Sequence, residues 1–413
     1  MTSDAREIVT RLATELRTEL VANILPYWMR NARDPDGGFF GRILQDGTVI
    51  RDADRGVVLN GRIIWTFAEA ARVIGDPTYR DTAQHAYAWF CDHFCDSEFG
   101  GVYWSVDRAG NPVNRRKQTY GQVFAIYGLA GYYRAFDDES ALDAAVKLFD
   151  LVEEYAYDAV NGGYSEALSE SWEPLADMRL SDKDVNAPKN VNTHLHVLEA
   201  YAELYRVWPD EKLRRRLMAL IRMFEGAPFL NTVENRLVPF FTPDWNVVSD
   251  FVSFGHDIEA SWLVHEAAEV AGDDELAEES RRLAVAMASA AGKGLDRKGA
   301  LVYEVTTDGR IDADRHWWVQ AEAIVGFVNA YQCSGRDEFL RAAARVWDYT
   351  RSNIVDRKNG EWLLRLSPDG VAYDEDKVGP WKCPYHNART CLEVIRRAES
   401  LGVQSSAAIN EFD

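Results

Sequence analysis

The chain of 413 residues is 47% hydrophobic and 27% charged. It is long enough to bury a large core, so neither disulfides nor a structural metal is needed for folding. Lys and Arg number 46 against 66 Asp and Glu, which gives a formal net charge of −20. That balance argues against nucleic acid or an anionic membrane as the main partner, because both require a basic face, whereas a neutral sugar is indifferent to it.

The N-terminus is charged throughout, and no window reaches the ~18 uninterrupted apolar residues of a membrane span, so neither a signal peptide nor a transmembrane helix is predicted. The five cysteines have no zinc-binding spacing, which favours a reducing, cytoplasmic compartment. Because no HExxH, paired CxxC, P-loop, strand-linked GxGxxG or GxSxG motif is present, we expect no metal, no nucleotide site and no nucleophile elbow. The acidic composition is compatible with a monomer.

Along the chain, a segment of glycine followed by aromatic or apolar residues recurs and indicates an internal repeat. Its copies are GGFFGRI at Gly37, GGVYWSV at Gly100, GGYSEAL at Gly162, NRLVPFF at Asn235, GALVYEV at Gly299 and GEWLLRL at Gly360. A second marker follows in step, and its aspartate is expected to cap the next helix. Its copies are IGDPTY at Ile74, FDDESA at Phe136, WPDEKL at Trp208, AGDDEL at Ala271 and SGRDEF at Ser334.

Between these markers the apolar period is helical. Five helices are apolar on most of their circumference and are predicted to be inner helices: GRIIWTFAEAARVI, GQVFAIYGLAGYYRAF, NTHLHVLEAYAELYRVW, IEASWLVHEAAEV and WVQAEAIVGFVNAYQ. Their partners are charged on one face and suit an outer ring. Six helix hairpins predict a closed (α/α)6 barrel of about twelve helices, an all-α fold with short β-hairpin loops at one end. We predict a single domain over residues 1–413.

Histidines in four repeats lie near the start of an inner helix, in NTHLH, SFGHDIE, RHWWVQ and CPYHN: His194, His196, His256, His316 and His386. By contrast, His85 and His93 lie in an outer helix, and His265 lies deeper in an inner helix and is interpreted as packed core. Residues that begin inner helices can line a central pocket, so the coincidence across repeats points to a functional site.

His256 and Glu259 are three residues apart at a helix start and share a face. A carboxylate bonded to an imidazole would fix its tautomer and make it a better general base. The alternative is a capping arrangement, in which the helix dipole favours Asp257 and Glu259 at the start of the helix. Arg62, among apolar neighbours on an inner helix, needs either a substrate oxygen or a structural carboxylate as its partner. The paired Trp317 and Trp318 offer flat faces for a sugar ring, or core packing.

Four segments, MRLSDKDVNAPKNVNTHLHVLEAY, GHDIEASWL, HWWVQAEA and WKCPYHN, resemble the cellobiose 2-epimerases, a branch of the N-acylglucosamine 2-epimerase superfamily. The similarity extends from the helix with Arg62 to His386. It implies an (α/α)6 barrel and a cofactor-independent isomerase that inverts C2 of the reducing-end sugar of β-1,4-linked disaccharides such as cellobiose.

The resemblance also implies roles for ten residues. His256 and His386 would be the acid/base pair, and Glu259 would orient His256. His196 would assist at O1 or O5 or hold the enediolate. The remaining residues would bind sugar oxygens (Arg62, Tyr120 and Asn192) or stack on sugar rings (Trp317, Trp318 and Trp381).

Other functions stay open from the sequence. Leu363 and Leu364 stand where members of the family tend to carry aromatics, which puts the second-sugar subsite in doubt. Related enzymes epimerise free mannose or isomerise it to fructose. In another class, an (α/α)6 glycoside hydrolase would use two carboxylates, such as Asp184 and Glu259, and a non-catalytic sugar-binding protein would need only the tryptophans.

Overall fold

The computed structural model describes residues 1–249, 251–306 and 308–404. Within them, twelve long helices dominate the chain: α1 Ser3–Glu19, α2 Val57–Ile74, α3 Pro77–His93, α4 Thr119–Phe136, α5 Glu139–Leu151, α6 Val191–Val207, α7 Glu211–Glu225, α8 Phe254–Ala271, α9 Asp274–Ala291, α10 Trp317–Ser334, α11 Asp337–Asn353 and α12 Tyr385–Ser400. Short helical turns continue three of them, at Leu20–Ile24, Leu25–Tyr27 and Trp28–Ala32 after α1, at Val152–Ala156 after α5 and at Gly292–Gly294 after α9. None of the helices in these ranges is long and apolar enough to cross a membrane.

The even-numbered helices form a closed inner ring. Each packs against the next, and α12 returns to α2. The odd-numbered helices lie outside them, and α1 packs against α12 to complete the outer ring. Small residues allow the inner helices to approach closely: a Cβ on Gly61 of α2 would lie 2.6 Å from the carbonyl oxygen of Phe124 on α4. The predicted (α/α)6 barrel is confirmed, and residues 405–413 of the predicted domain lie outside the described chain.

The predicted aspartate caps are confirmed for four of the five markers. Asp76, Asp138, Asp210 and Asp273 each accept a backbone N–H at the start of an outer helix. The fifth prediction is wrong, because α11 begins after Arg336, which makes no side-chain cap bond, and the aspartate of SGRDEF is already its first helical residue. There the acidic first turn can still interact favourably with the helix dipole.

Fifteen short strands are assigned in the described residues. They are β1 Arg55–Gly56, β2 Ser105–Val106, β3 Pro112–Asn114, β4 Lys117–Gln118, β5 Ala167–Leu168, β6 Lys189–Asn190, β7 Leu230–Asn231, β8 Arg236–Leu237, β9 Phe240–Phe241, β10 Val247–Ser249, β11 Val252–Ser253, β12 Glu304–Val305, β13 Ile311–Asp312, β14 Arg315–His316 and β15 Arg365–Leu366. They pair antiparallel in six small sheets of orders β1-β2-β3, β4-β5, β6-β9-β10, β7-β8, β11-β12-β13 and β14-β15. Strands β1, β4, β6, β11 and β14 each lead directly into an inner helix, so the hairpins gather at the N-terminal ends of the inner ring.

A buried ion pair recurs beneath these hairpins. In five repeats, a cation contacts the aspartate that opens the preceding glycine-rich turn, at N–O distances of 2.5–2.8 Å: Arg55 with Asp34, Lys117 with Asp96, Lys189 with Asp158, Arg315 with Asp296 and Lys377 with Asp356. The first four cations begin the strand that leads into an inner helix, and Lys377 precedes the isolated bridge residue Val378. In the other repeat Asn231 takes the aspartate's place and accepts the same type of turn N–H groups, from Val233 and Glu234. The pairs therefore anchor the rim loops to the barrel.

One of these pairs gives a stability prediction. Lys117 and Asp96 are both 0% exposed. Lys117→Met leaves the Asp96 carboxylate buried without its cation, so we expect the free energy of unfolding to fall by about 3–5 kcal/mol. Denaturant titration measures this change. The control is Arg282→Met, because Arg282 forms an exposed pair with Glu278 and should change stability by less than about 1 kcal/mol. Equal losses in the two variants would contradict an anchoring role for the buried pairs.

Candidate active site

A cavity of about 450 Å³ opens where the inner helices begin. All ten residues singled out in the sequence line it: Arg62, Tyr120, Asn192, His196, His256, Glu259, Trp317, Trp318, Trp381 and His386. A second space of about 370 Å³ adjoins it, shares Asn192, His256 and Tyr303 with it, and extends toward Glu304 and Arg365. The arrangement follows from the fold, because each inner helix presents a residue of its first turns to the same opening.

His256 on α8 and His386 on α12 converge on this cavity. Their rings pack against the same indole, that of Trp318, with centroids 4.9 Å and 5.7 Å from it. Trp317 is more buried and lies beside His386, with ring centroids 6.0 Å apart. Of the two tryptophans that the sequence could not separate, Trp318 is therefore the one that contacts both imidazoles.

The predicted contact between Glu259 and His256 is not formed. His256 Nδ1 instead lies 2.8 Å from the hydroxyl of Ser253, at the start of the same helix. The Glu259 carboxylate accepts a hydrogen bond from Arg389, with Nη2 2.7 Å from Oε1. The reason is geometric, because the first turn directs the Nδ1 edge of His256 back toward the N-cap while Glu259 faces the barrel axis.

Carboxylates hold two of the other three histidines that line the cavity. His386 Nδ1 lies 2.7 Å from Glu322 Oε1, and His196 Nδ1 lies 2.8 Å from Glu199 Oε2. A carboxylate partner requires a proton on Nδ1, which leaves Nε2 of each neutral imidazole as the free, basic nitrogen. These Nε2 atoms make no hydrogen bond within the described chain and are left to the cavity.

Arg389 on α12 links the three carboxylates of the site. Its guanidinium donates to Glu199, to Glu259 and to Glu322, which come from α6, α8 and α10. The side chain is 2% exposed, so these charges interact in a medium of low dielectric. Glu259, Glu322 and His386 have donor atoms close enough together to hold a metal ion, but here the guanidinium of Arg389 already bridges the two carboxylates.

Burial and neighbouring charges shift the pKa values of these groups in different directions. Burial and the neighbouring His196 lower the pKa of His256 to about 4, so its imidazole is neutral at neutral pH. Burial opposes ionisation of Glu199, but Arg389 and His196 lower its pKa to about 2. Burial and the nearby Glu322 raise the pKa of Glu259. Burial also raises the pKa of Glu322, so of the three carboxyl groups bonded to Arg389 only that of Glu199 has a lowered pKa.

Arg62 on α2 has a different environment. Its guanidinium is buried, lies over the rings of Phe124 and Tyr385 at 4.1 and 4.3 Å, and donates to the hydroxyl of Tyr120 at 2.9 Å. Within the described chain it forms no ion pair with a carboxylate, and its Nε has no hydrogen-bond partner. Of the two partners considered from the sequence, the structural carboxylate is not present, which leaves a buried positive charge facing the cavity.

Other polar atoms at the cavity are also without partners. The Asn192 amide oxygen, the Trp317 indole N–H and His316 Nε2 are buried and make no hydrogen bond in the part of the chain that the structure describes. Trp381 stands at the rim beside Trp104, with centroids 6.0 Å apart. Unpaired buried polar groups are costly, so their grouping at one cavity indicates that a polar ligand satisfies them.

Three histidines outside the cavity make structural contacts. His194 bonds the Tyr164 backbone N–H and the Asn190 carbonyl, away from the cavity. His265 contacts Asn329 and Cys333, in agreement with its interpretation as packed core. His85 contacts the Gly38 carbonyl.

Four residues of the site were not predicted from the sequence: Ser253, Glu199, Glu322 and Arg389. Their spacing from a histidine could have identified two of them. Glu199 follows His196 by three residues, the spacing used for His256 and Glu259, and Arg389 follows His386 by three. Glu322 and Ser253 had no such signal, because which neighbour each imidazole selects depends on the packing of separate elements.

Comparison with known proteins places this chain in a family. A model of the N-acylglucosamine 2-epimerase family matches residues 38–390. A cellobiose 2-epimerase of Bacteroides fragilis is 46% identical over 387 residues, which cover 93% of this chain and 98% of that protein. The structure of cellobiose 2-epimerase from Bacillus thermoamylovorans is 40% identical with a TM-score of 0.89, covering 94% of this chain and 99% of that one. That from Spirochaeta thermophila is 37% identical with a TM-score of 0.90, covering 97% and 100%.

The chain belongs to the N-acylglucosamine 2-epimerase family, and the resemblance drawn from its motifs is confirmed. It is an isomerase of the carbohydrate 2-epimerase class.

The Arg389 cluster yields a prediction. Arg389→Lys keeps a positive charge but cannot reach three carboxylates with a planar fork, so Glu199 and Glu322 should no longer be held in register. We expect turnover to fall by about 10²-fold, since a misplacement of about 1 Å has that effect on catalysis. Steady-state kinetics measures the loss, and circular dichroism verifies the fold. Full activity in this variant would contradict the conclusion that Arg389 holds the three carboxylates in their positions.

Proposed function

We propose that the protein inverts C2 of the reducing-end sugar of β-1,4-linked disaccharides, converting cellobiose to 4-O-β-D-glucosyl-D-mannose, without a cofactor. The observation that carries this proposal is the convergence of His256 and His386, from different inner helices, on one cavity beside Trp318. We further propose that the barrel acts as a single catalytic domain, as a cytoplasmic monomer with a small neutral sugar as its partner.

The chemistry explains why two imidazoles are needed. The C2 proton becomes acidic only after the ring opens and C1 becomes a carbonyl. One histidine then removes the C2 proton, and the electron pair of the C–H bond forms an enediolate. The other returns a proton to C2 from the opposite face, so that the configuration is inverted. One histidine could not reach both faces unless the intermediate turned over in the cavity.

The protonation of the pair follows from the groups behind each ring. His256 has no carboxylate behind it and begins as the neutral base. His386 bonds Glu322, and the Glu259 carboxylate lies 3.9 Å away. Burial and the nearby Arg62 and Arg389 lower the pKa of His386 well below its usual value, so this imidazole has to take up a proton before it can protonate C2. The carboxyl group at Nδ1 then stabilises the imidazolium, and that proton is the one returned to C2. The reverse reaction uses the same two groups in the opposite order.

The remaining cavity residues supply binding and electrostatic stabilisation. The guanidinium of Arg62 has no carboxylate partner within the described chain and faces the cavity, where the negative charge of the enediolate can lie beside it. A fixed positive charge in that position stabilises the charge that develops in the transition state. Tyr120 shares a hydrogen bond with Arg62, and Asn192 offers a free amide oxygen to a sugar hydroxyl. His196, with Nδ1 fixed on Glu199, presents Nε2 for a proton at O1 or O5. Trp318 and Trp381 offer faces for the sugar ring.

Two observations favour a disaccharide over mannose alone. The adjoining space toward Tyr303 and Arg365 leaves room for a second ring, and the relatives of high identity are named cellobiose 2-epimerases. Leu364 also lines the cavity, so the departure from aromatic residues at this position touches the site. A mannose 2-epimerase or mannose isomerase is the alternative within the family. A hydrolase using Asp184 and Glu259 would leave the imidazoles of His196, His256 and His386 without a role.

Replacing either His256 or His386 tests the roles of these two histidines as proton carriers. His256→Gln and His386→Gln should each lower kcat by about 10³-fold or more, because each removes a proton carrier that the remaining groups cannot replace. Chromatography of the cellobiose products measures the rate. His93→Gln is the control, since His93 lies on outer helix α3 against Trp89 and should keep full activity. Substantial turnover by either cavity variant would contradict the two-base scheme.

The proposed preference for disaccharides over mannose can be measured directly. The protein should convert cellobiose and mannobiose with a kcat/KM at least about tenfold above that for mannose, because contacts to the second ring contribute binding energy to the reaction. Product analysis from all three sugars, resolving aldoses from ketoses, gives the comparison. Equal efficiency on mannose would support the monosaccharide epimerase instead, and fructose as the main product would support the isomerase.

A further inference from the structure

Four histidines line the cavity: His196, His256, His316 and His386. The ring of His316 stacks on Tyr303, and its Nε2 makes no hydrogen bond within the described chain. His196 and His386 are held by Glu199 and Glu322, whereas His256 is held by a hydroxyl, that of Ser253. Resting on the function proposed above, we propose that Ser253 is the positioning residue of His256. Its hydroxyl fixes the ring through Nδ1 and, unlike the carboxyl groups that bond His196 and His386, adds no negative charge beside it.

The backbone of Ser253 is held on both sides. It is the last residue of β11, paired there with Glu304 of β12, and it is also the N-cap of α8. The side chain is nearly buried, at 8% exposure. The hydroxyl is therefore fixed relative to the helix that carries His256, and it can hold the imidazole without the entropic cost of ordering a mobile loop.

Its distances show which partner the hydroxyl serves. The Ser253 oxygen lies 2.8 Å from the ring nitrogen Nδ1 but 3.5 Å from the backbone nitrogen of His256 that it would cap. Outer helices have tighter caps, such as Asp273 with the N–H of Leu276 at 3.1 Å. The short contact goes to the imidazole, so helix capping alone does not explain the position of this serine.

A hydroxyl can accept as well as donate, which suits a group that changes charge during the reaction. When His256 acts as a base, Nδ1–H donates to the serine oxygen and Nε2 is bare. When Nε2 takes the C2 proton, the imidazolium keeps the same Nδ1–H bond, so no proton passes between Ser253 and His256. Because the serine is neutral, the imidazolium gains no ion pair and gives its proton back to C2 readily in the reverse direction.

The two proton carriers therefore have different partners at Nδ1, a carboxyl group for His386 and a neutral hydroxyl for His256. A carboxyl group can stabilise the imidazolium of His386 once it forms, whereas the hydroxyl of Ser253 fixes the ring of His256 without favouring its charged form.

Four variants test the assignment by steady-state kinetics on cellobiose and by thermal unfolding. Ser253→Ala should lower kcat about tenfold, the loss of one ring-positioning hydrogen bond worth about 1.4 kcal/mol, with KM changed less than about twofold. Ser253→Thr keeps a hydroxyl and should restore most of kcat. Ser253→Asp keeps a good cap but adds a charge, so it should be as stable as the wild type and yet slower. Asp273→Ala removes a cap remote from the cavity and should lower stability only.

Two results would overturn the proposal. If Ser253→Ala loses stability as Asp273→Ala does while keeping wild-type kcat, the serine is a helix cap only. If Ser253→Asp is as fast as the wild type, a neutral partner is not required.

A readout that does not depend on turnover separates this proposal from the proposed function. The imidazole NMR resonances of His256, assigned as those absent from His256→Gln, should shift in Ser253→Ala and stay unchanged in Asp273→Ala. A shift in a protein that fails to epimerise sugars would support the contact and contradict the function. Unshifted resonances in an active enzyme would contradict the positioning role alone.

Discussion

The guanidinium of Arg389 is the interaction on which the site depends most. It lies on the last inner helix, which closes the ring between α10 and α2, and donates to carboxylates from three other inner helices, Glu199, Glu259 and Glu322. Buried carboxylates without a cation would repel one another and lose their solvation, so their convergence requires this arginine. Two of them in turn hold imidazoles at Nδ1. The helix that closes the barrel is thus also the one whose arginine positions the carboxylates that orient two of the histidines.

Around this centre, repetition supplies the frame and variation supplies the chemistry. The hairpin, the turn and the buried ion pair recur nearly unchanged, and they hold each helix entrance at the rim. The residues just inside each entrance differ, so six equivalent positions deliver Arg62, Tyr120, His196, His256, Trp317 with Trp318, and His386 to one cavity. A rigid frame matters here, because proton transfer on both faces of one carbon tolerates little displacement.

Much of this was predictable because it depends on short-range pattern. The helical period, the glycine-rich turns and four of the aspartate caps each follow from local chemistry, and six copies make the period unmistakable. Closure also followed, because helices that are apolar on nearly all sides need neighbours on all sides. At α11 the local rule failed, since the aspartate of SGRDEF begins the helix one position after its cap.

The partners of buried polar groups were less predictable. The spacing of three residues pairs His196 with Glu199 as expected of that rule, yet the same spacing does not pair His256 with Glu259. The difference depends on Arg389, 130 residues away in sequence, which draws Glu259 to the axis and leaves His256 to Ser253. A carboxylate in a low-dielectric interior pairs with the nearest cation in space, which no local pattern specifies.

The central claim is that imidazoles from two helices exchange the proton on C2 of an opened aldose. The most direct measurement is the reaction of cellobiose in heavy water, with NMR used to locate deuterium in the product. The account predicts one deuterium at C2 of the epimerised sugar and none at C1, because the proton returned to C2 comes from a histidine in exchange with solvent. Epimerised product without deuterium at C2, or with deuterium at C1 instead, would contradict the account.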